Sequence, residues 1–276
     1  NNYEKNLRGQ IEGARRVGLI ERRREREEAL AAWIAADPSR AAYGPAIADL
    51  SELSQESAAA SRTSFWYGNA TRAQLLSVAQ RLYRLAKEKE KPNAQRQSGY
   101  QDRDMAFFRQ GMQALDRRYD ADVDKAEWKL FLDGYLAQPE AERVAVYDEA
   151  LGLTGVDDAK QLDAILDGYY ANTRLDETET RLALMDASVA ELEASEDPFM
   201  KLAIALYDYE RGLEDEAEER AGRALALRPA YMEAITQWQR EQGKLPYPDA
   251  NSTLRITFGN VMGGSPFDGM YYLPFT

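Results

Sequence analysis

Residues 247–259 read Tyr247-Pro248-Asp249-Ala250-Asn251-Ser252-Thr253-Leu254-Arg255-Ile256-Thr257-Phe258-Gly259, and this stretch divides the chain. Leu254, Ile256 and Phe258 alternate with Thr253, Arg255 and Thr257. A period of two, in β-branched and aromatic residues, predicts a strand over 252–258. Beyond it Gly259, Gly263, Gly264, Pro266 and Gly269 punctuate the chain, and Met270-Tyr271-Tyr272-Leu273 is a candidate second strand. One hairpin is marginal in water and needs more strands or a packed neighbour, and an exposed edge invites pairing with another chain. The tail is expected to open a β domain whose remainder is missing, so 252–258 should pair with another copy or stay disordered.

Upstream of this stretch almost everything has a helical period. Tyr231, Ile235 and Trp238 mark a helix that Gly243 should stop. Ala217, Ala221, Ala224 and Leu225 mark one before it. Phe199, Leu202, Leu206 and Tyr209 mark another, with Asp197 as N-cap and Pro198 in the first turn. The pair over 199–228 resembles a tetratricopeptide unit, but no repeat of about 34 residues is sustained. Leu182, Met185, Val189 and Leu192 predict a helix entered from Asp176. Three shorter ones precede it: Leu162, Ile165, Leu166 and Tyr169; Val144, Tyr147 and Leu151; and Trp128, Leu132, Tyr135 and Leu136. Gly99-Tyr100-Gln101-Asp102-Arg103-Asp104 opens a further helix, its acids placed where the helix dipole favours them. Leu75, Leu76, Val78, Ala79, Leu82, Tyr83 and Ala86 form a strong apolar stripe, and Lys87 to Pro92 a polar exit. Arg40 to about Asn69 reads as a helix with a kink near Gly44-Pro45, and Phe65-Trp66-Tyr67 as core aromatics. Asn2 to Ala36 reads as one long helix, broken after it by Asp37-Pro38-Ser39; Gly9, Gly13 and Gly18 weaken its first half. Its run Glu21 to Glu28 is expected to be a solvated face. The fold class is therefore mainly α, a multi-helix antiparallel bundle-like domain over 1–246, with a short β-hairpin or strand over 247–276.

Composition excludes several classes of function. The chain has 276 residues, enough for a sizeable core, with 44% hydrophobic and 30% charged residues. No apolar run approaches the roughly 18 residues of a membrane span. A net charge of −12 disfavours nucleic acid as a partner. There is no cysteine, which excludes disulfides and thiolate chemistry, and no histidine, which excludes a Ser-His-Asp triad or a His-ligated metal within these residues. The chain has no starting Met and no signal peptide, and opens directly on an asparagine and a helical pattern, as a fragment would.

No constellation in the chain points to catalysis. The carboxylate groups Asp157-Asp158, Asp176-Glu177 and Glu214-Asp215-Glu216 read as solvated faces. Ser64, Ser188 and Ser265 lack a histidine base, and Pro266 removes the backbone N–H that an oxyanion hole beside Ser265 would need. We expect no catalytic residue, no metal site and no cofactor. Composition alone would favour a non-catalytic helical scaffold that binds a protein partner.

Three stretches carry a resemblance. They are Tyr247 to Arg255 continuing into Ser265-Pro266-Phe267-Asp268-Gly269-Met270-Tyr271-Tyr272-Leu273-Pro274-Phe275-Thr276, the run Gly99 to Asp104, and Asn2-Tyr3-Glu4-Lys5-Asn6-Leu7-Arg8-Gly9. Together they resemble the bacterial serine dipeptidyl aminopeptidases of the dipeptidyl-peptidase 7 and dipeptidyl-peptidase 11 type, with Met262, Gly264 and Phe267 departing from the family pattern. The resemblance implies that 1–246 is a helical cap inserted in a chymotrypsin-like double β-barrel, and that 247–276 re-enters the barrel. The cap would narrow the cleft so that only a free N-terminus two residues from the scissile bond fits. The triad would lie in the flanking barrel, leaving this chain inactive by itself. By motif position Asn2 would hydrogen-bond the substrate α-amino group; read from the residue alone, Asn2 is equally a helix cap. The resemblance further implies peptide substrates with a free N-terminus, a homodimer of the full-length form, and a periplasmic or secreted location.

Overall fold

The structure, a computed structural model, describes residues 2–156, 158–244, 256 and 258–273. The chain separates into two compact units, one of residues 38–231 and one of residues 1–37 with 232–276.

The larger unit is helical. Helix α3 (Tyr43–Ala70) is followed by α4 (Gln74–Lys89), α5 (Met105–Ala114), α6 (Ala121–Leu136), α7 (Ala145–Leu151), α8 (Ala159–Ala171), α9 (Thr178–Leu184) and α10 (Val189–Glu193). It closes with residues 198–231 of α11 (Pro198–Glu241). The core lies around α4, whose stripe of Leu75, Leu76, Val78, Ala79, Leu82, Tyr83 and Ala86 is buried in full. Trp128, Leu132 and Tyr135 of α6 and Phe199, Leu202 and Leu206 of α11 join the same core, as their spacing of three and four predicts. T-shaped ring pairs run Tyr209–Tyr67–Tyr147–Tyr135 with centroids 5.2–5.5 Å apart. Tyr67 is buried and Trp66 packs against the core, as expected, whereas Phe65 is exposed.

Polar side chains close the helix ends inside this unit. Ala73, before α4, has no side-chain acceptor, so buried Asp124 of α6 accepts from the Gln74 N–H at 2.8 Å and from Tyr170 OH at 2.7 Å. Asp197 caps α11 as expected, accepting from the N–H groups of Phe199 (3.0 Å) and Met200 (3.3 Å). In the Gly99–Asp104 run, Gln101 and Asp104 form a capping box around a 3₁₀ turn that leads into α5, so these residues are structural.

Several helix boundaries differ from the sequence reading. Pro45 sits in the first turn of α3, where its missing N–H costs nothing, so the helix starts there and no kink forms. The helix expected from Asp176 to Leu192 is two, because Ser188 and Glu191 form a capping box that starts α10. Conversely, the three helices expected between 199 and 238 are one, α11, 44 residues long and continuous through Pro229. Glu, Arg, Ala and Leu dominate 213–228, a run of strong helix formers that offers no stop.

In the smaller unit, the single helix expected over 2–36 is broken into α1 (Asn2–Arg16) and α2 (Leu19–Ala35). Gly18 takes the left-handed conformation (φ 57°), which a residue with a Cβ adopts only with strain. The Glu21–Glu28 run is exposed, with Arg24 and Glu28 paired at 3.8 Å. Trp33 Nε1 donates to Glu241 at the end of α11 at 2.6 Å. Antiparallel strands β1 (Gly264–Phe267) and β2 (Met270–Tyr272) form a hairpin. The expected second strand is thus present as β2, but its partner comes from the Gly-Pro-containing segment read as punctuation. Asp268-Gly269, with Gly269 at φ 77°, is a two-residue turn that joins them. Of the strand expected over 252–258, Ile256 and Phe258 are exposed and outside any strand; its other residues lie outside the described ones.

Candidate functional site

Two helix faces meet in a polar cleft of the larger unit. Gln80 and Arg84 are four residues apart on α4, and Glu210 and Glu214 are four apart on α11, so each pair shares one face. The Gln80 amide donates to Glu210 Oε1 at 2.5 Å, and Tyr67 OH donates to the same oxygen at 3.2 Å. Arg84 grips Glu214 with both terminal nitrogens, at 2.6 and 2.8 Å. Arg211 donates to Glu214 as well. The guanidinium of Arg84 lies 5.4 Å from the centre of the Tyr100 ring. These side chains border a cavity of about 290 Å³, with Arg81 and Tyr207 also on its wall.

Burial pushes the Glu210 carboxyl up to about 7, since the charged form loses solvation; Glu214 adds repulsion, while the bonds from Tyr67 and Gln80 oppose the shift. In the unfolded chain this group titrates near 4.5. Between these values the unfolded chain releases its proton first, so the stability that Glu210 contributes is whole below pH 4.5 and is lost as pH rises through 7. At 1.36 kcal/mol per unit the loss amounts to about 2–3 kcal/mol once partial solvent access is allowed for. Glu210→Gln should therefore flatten this part of the profile. In urea titrations at pH 5 and pH 8, the variant should gain about 2–3 kcal/mol on wild type across that interval. Parallel profiles would show that Glu210 titrates normally.

Sequence reasoning missed this cleft. Its signal was a charged residue on an apolar stripe: Glu210 follows Leu206 by four positions and Leu202 by eight. The solvated-face reading of Glu214-Asp215-Glu216 fails for Glu214, which pairs with two arginines. It holds for Asp215 and Glu216, whose side chains are 76% and 65% exposed. Asp158 turns out to cap α8, accepting from the Lys160 N–H at 3.0 Å; Asp157 is outside the described residues. Ser265 bonds the Phe267 and Met270 carbonyls across the hairpin turn, a structural role. Among the described residues no three His, Cys, Asp or Glu side chains come together as metal ligands, and no helix is long and apolar enough to cross a membrane. Asn2 is the first residue of α1 and is exposed.

Residues 1–276 match the family described as Peptidase S46 over their whole length. The chain belongs to the peptidase S46 family. It is 38% identical over 275 residues to an Asp/Glu-specific dipeptidyl-peptidase of Shewanella putrefaciens, a match covering all of this chain and 37% of that protein. An Asp/Glu-specific dipeptidyl-peptidase of Capnocytophaga gingivalis is 25% identical over 98% of the chain and 37% of its own length. A dipeptidyl-peptidase 7 of Phocaeicola vulgatus is 26% identical over 58% of the chain and 22% of its own length. The S46 chain thus spans a little over a third of the length of the Shewanella and Capnocytophaga proteins.

Proposed function

We propose that this S46 chain is the helical cap of a periplasmic or secreted serine dipeptidyl-peptidase that removes dipeptides from free N-termini. The observation that carries the reading is the family match over all 276 residues, together with 38% identity to a dipeptidyl-peptidase along the whole chain. A helical cap fits the chemistry available. The 276 residues contain no histidine, so a Ser-His-Asp triad must draw its base from outside them. What these residues supply is shape and recognition: residues 1–246 narrow the cleft, and residues 247–276 lead into a β-barrel that holds the triad. The full-length enzyme works as a homodimer on peptides with an unblocked N-terminus, and the 276 residues by themselves are inactive.

In this reading Asn2 accepts a hydrogen bond from the substrate α-ammonium, for which an amide oxygen suffices without a counter-charge. A charge-assisted bond of this kind is worth about 1.5–3 kcal/mol. Asn2→Ala in the full-length enzyme should therefore lower kcat/KM about 10- to 200-fold on free-amine substrates, at about 1.4 kcal/mol per tenfold. Stability should hardly change, because Asn2 is exposed at a helix start. The difference between variant and wild type should vanish on substrates whose amino group is blocked. A folded Asn2→Ala enzyme with wild-type kcat/KM on free-amine substrates would remove this role from Asn2 and direct the test to Asn1 or Asn6.

A further inference from the structure

We propose that the groove between α3 and α11 takes one monomeric anionic amphiphile, a medium-chain carboxylate, with its tail along the apolar wall and its head at Arg228. The inference stands on the groove itself and does not depend on the peptidase reading.

The two helices run antiparallel within the larger unit: Tyr67 meets Glu210 at 3.2 Å, and Glu56 meets Arg223 at 3.2 Å. They border a groove of about 420 Å³, and every residue on its wall belongs to one of the two helices. Ala217, Ala221 and Ala224 fall on one face of α11, and Leu50 and Leu53 of α3 share the wall with them. The spacing of the alanines predicts a packed face, yet Ala217 and Ala221 are exposed. An alanine reaches no further than its Cβ, so the space between the helices stays unfilled. Ser57, also on the wall, donates its proton to the Leu53 carbonyl at 2.9 Å and has none to offer a ligand.

The charge on this wall has one sign. Arg220 and Arg228 border the groove, whereas Glu52, Glu56, Glu218 and Glu219, in the same spans of α3 and α11, do not. In a chain of net charge −12 that is a local reversal. Glu216 answers Arg220 at 3.4 Å, and the Arg220 side chain is only 30% exposed, so its stem adds to the apolar wall. Arg228 has no carboxylate within ion-pairing distance among the described residues, and it is the last residue of α11 on the wall. The groove is thus apolar along its length with one unmatched cation at an end, which suits a tail with a singly charged head. From Ala217 to Arg228 the axis of α11 rises about 16 Å. A ten-carbon chain, at about 3.3–3.6 Å for every three bonds, extends about 10 Å and leaves room for the head. The volume lies in the range of small-molecule sites, about 300–1,000 Å³, and is too small to admit a helix about 10–12 Å across.

The test is calorimetric titration of the purified protein with sodium decanoate, sodium acetate and decyltrimethylammonium, all below the concentrations at which they form micelles. Decanoate should bind once per chain at about 1 mM or tighter. Acetate, which lacks the tail, should give no measurable heat, and decyltrimethylammonium, with the opposite charge, should bind at least about tenfold more weakly. Ala221→Leu fills the groove and should abolish decanoate binding; Arg228→Gln should weaken it several-fold. Ala221 and Arg228 are exposed, and leucine and glutamine are good helix formers, so both variants should keep the wild-type melting temperature within a few degrees. Absence of decanoate binding would overturn the proposal, as would equal binding of the cationic analogue. Unchanged binding by Ala221→Leu would place the tail elsewhere and overturn it too. So would retention on anionic phospholipid vesicles without binding of free decanoate, which would make the groove a membrane-facing surface.

Discussion

Arg181→Met should lower the stability of the larger unit by about 3–5 kcal/mol, among the largest effects expected of any single change in this chain. Arg181 is wholly buried on α9, yet its guanidinium is satisfied on every side. Nε donates to the Met112 carbonyl at 2.9 Å, one Nη to the Leu175 carbonyl at 2.8 Å, and the other to Thr178 Oγ1 at 2.8 Å and to Asp116. Met112 is in the last turn of α5, where carbonyls have no partner within the helix. Arg181 thus caps α5 from another helix and ties the loop at Leu175 to it. Asp116 is held below the usual carboxylate range by its bonds from Thr178 and Arg181, but it is exposed and gains little by pairing. The loss comes instead from the two carbonyls, each left buried and unbonded at about 1–3 kcal/mol. Methionine fills most of the space, so a cavity contributes little. Urea unfolding should show the midpoint drop at unchanged slope. Arg181→Lys should recover part of the loss, because an ammonium reaches one carbonyl but not the fork of partners. A midpoint shift worth under about 1 kcal/mol in Arg181→Met would mean that water replaces the guanidinium.

Nothing in the sequence singled out Arg181, and the reason is physical. Its partners Met112 and Asp116 lie 69 and 65 positions away, and hydrogen bonds at such separations leave no periodic trace. The same holds for the cleft, where Gln80 meets Glu210 across 130 positions. Periodicity reports only which way a residue faces. It therefore revealed α4, whose stripe is unbroken, and the Asp197 cap of α11, which is a local bond. Punctuation was read less well. Gly18 stops a helix because its neighbours turn there, whereas Gly212 and Gly222 lie inside α11 without stopping it. A glycine permits a left-handed turn but does not demand one. The hairpin shows the converse error. Alternating apolar residues drew attention to 252–258, while the described hairpin grows from Asp268-Gly269, whose turn geometry specifies pairing more strongly than the composition of Gly264-Ser265-Pro266-Phe267 argues against it.

Trp128→Ala should also lower stability by about 3–5 kcal/mol, through the cavity that it opens. Trp128 is 1% exposed and packs against Tyr169, Tyr170 and Phe199 with ring centroids 5.5–6.3 Å away. Its volume accounts for most of that loss, and its N–H for the remainder in a way that can be separated. Nε1 donates to the carbonyl of Ala70 at 2.6 Å, and Tyr147 OH donates to the same carbonyl at 2.7 Å. Ala70 ends α3, so its carbonyl has no helical partner, and it is fully buried. Two donors on one acceptor make either one dispensable. Tyr147→Phe alone should cost about 0.5–1.5 kcal/mol, the net worth of one bond. Trp128→Phe should cost that plus a modest packing term. Joining the two changes removes both donors and strands the carbonyl, at a further cost of about 1–3 kcal/mol beyond the sum of the single changes. Urea titration of the four proteins gives the coupling directly, and the expected sign is destabilising. Strict additivity would mean that water reaches Ala70 when the donors are gone, and that the end of α3 is less sealed than the burial of Trp128, Tyr147 and Ala70 implies.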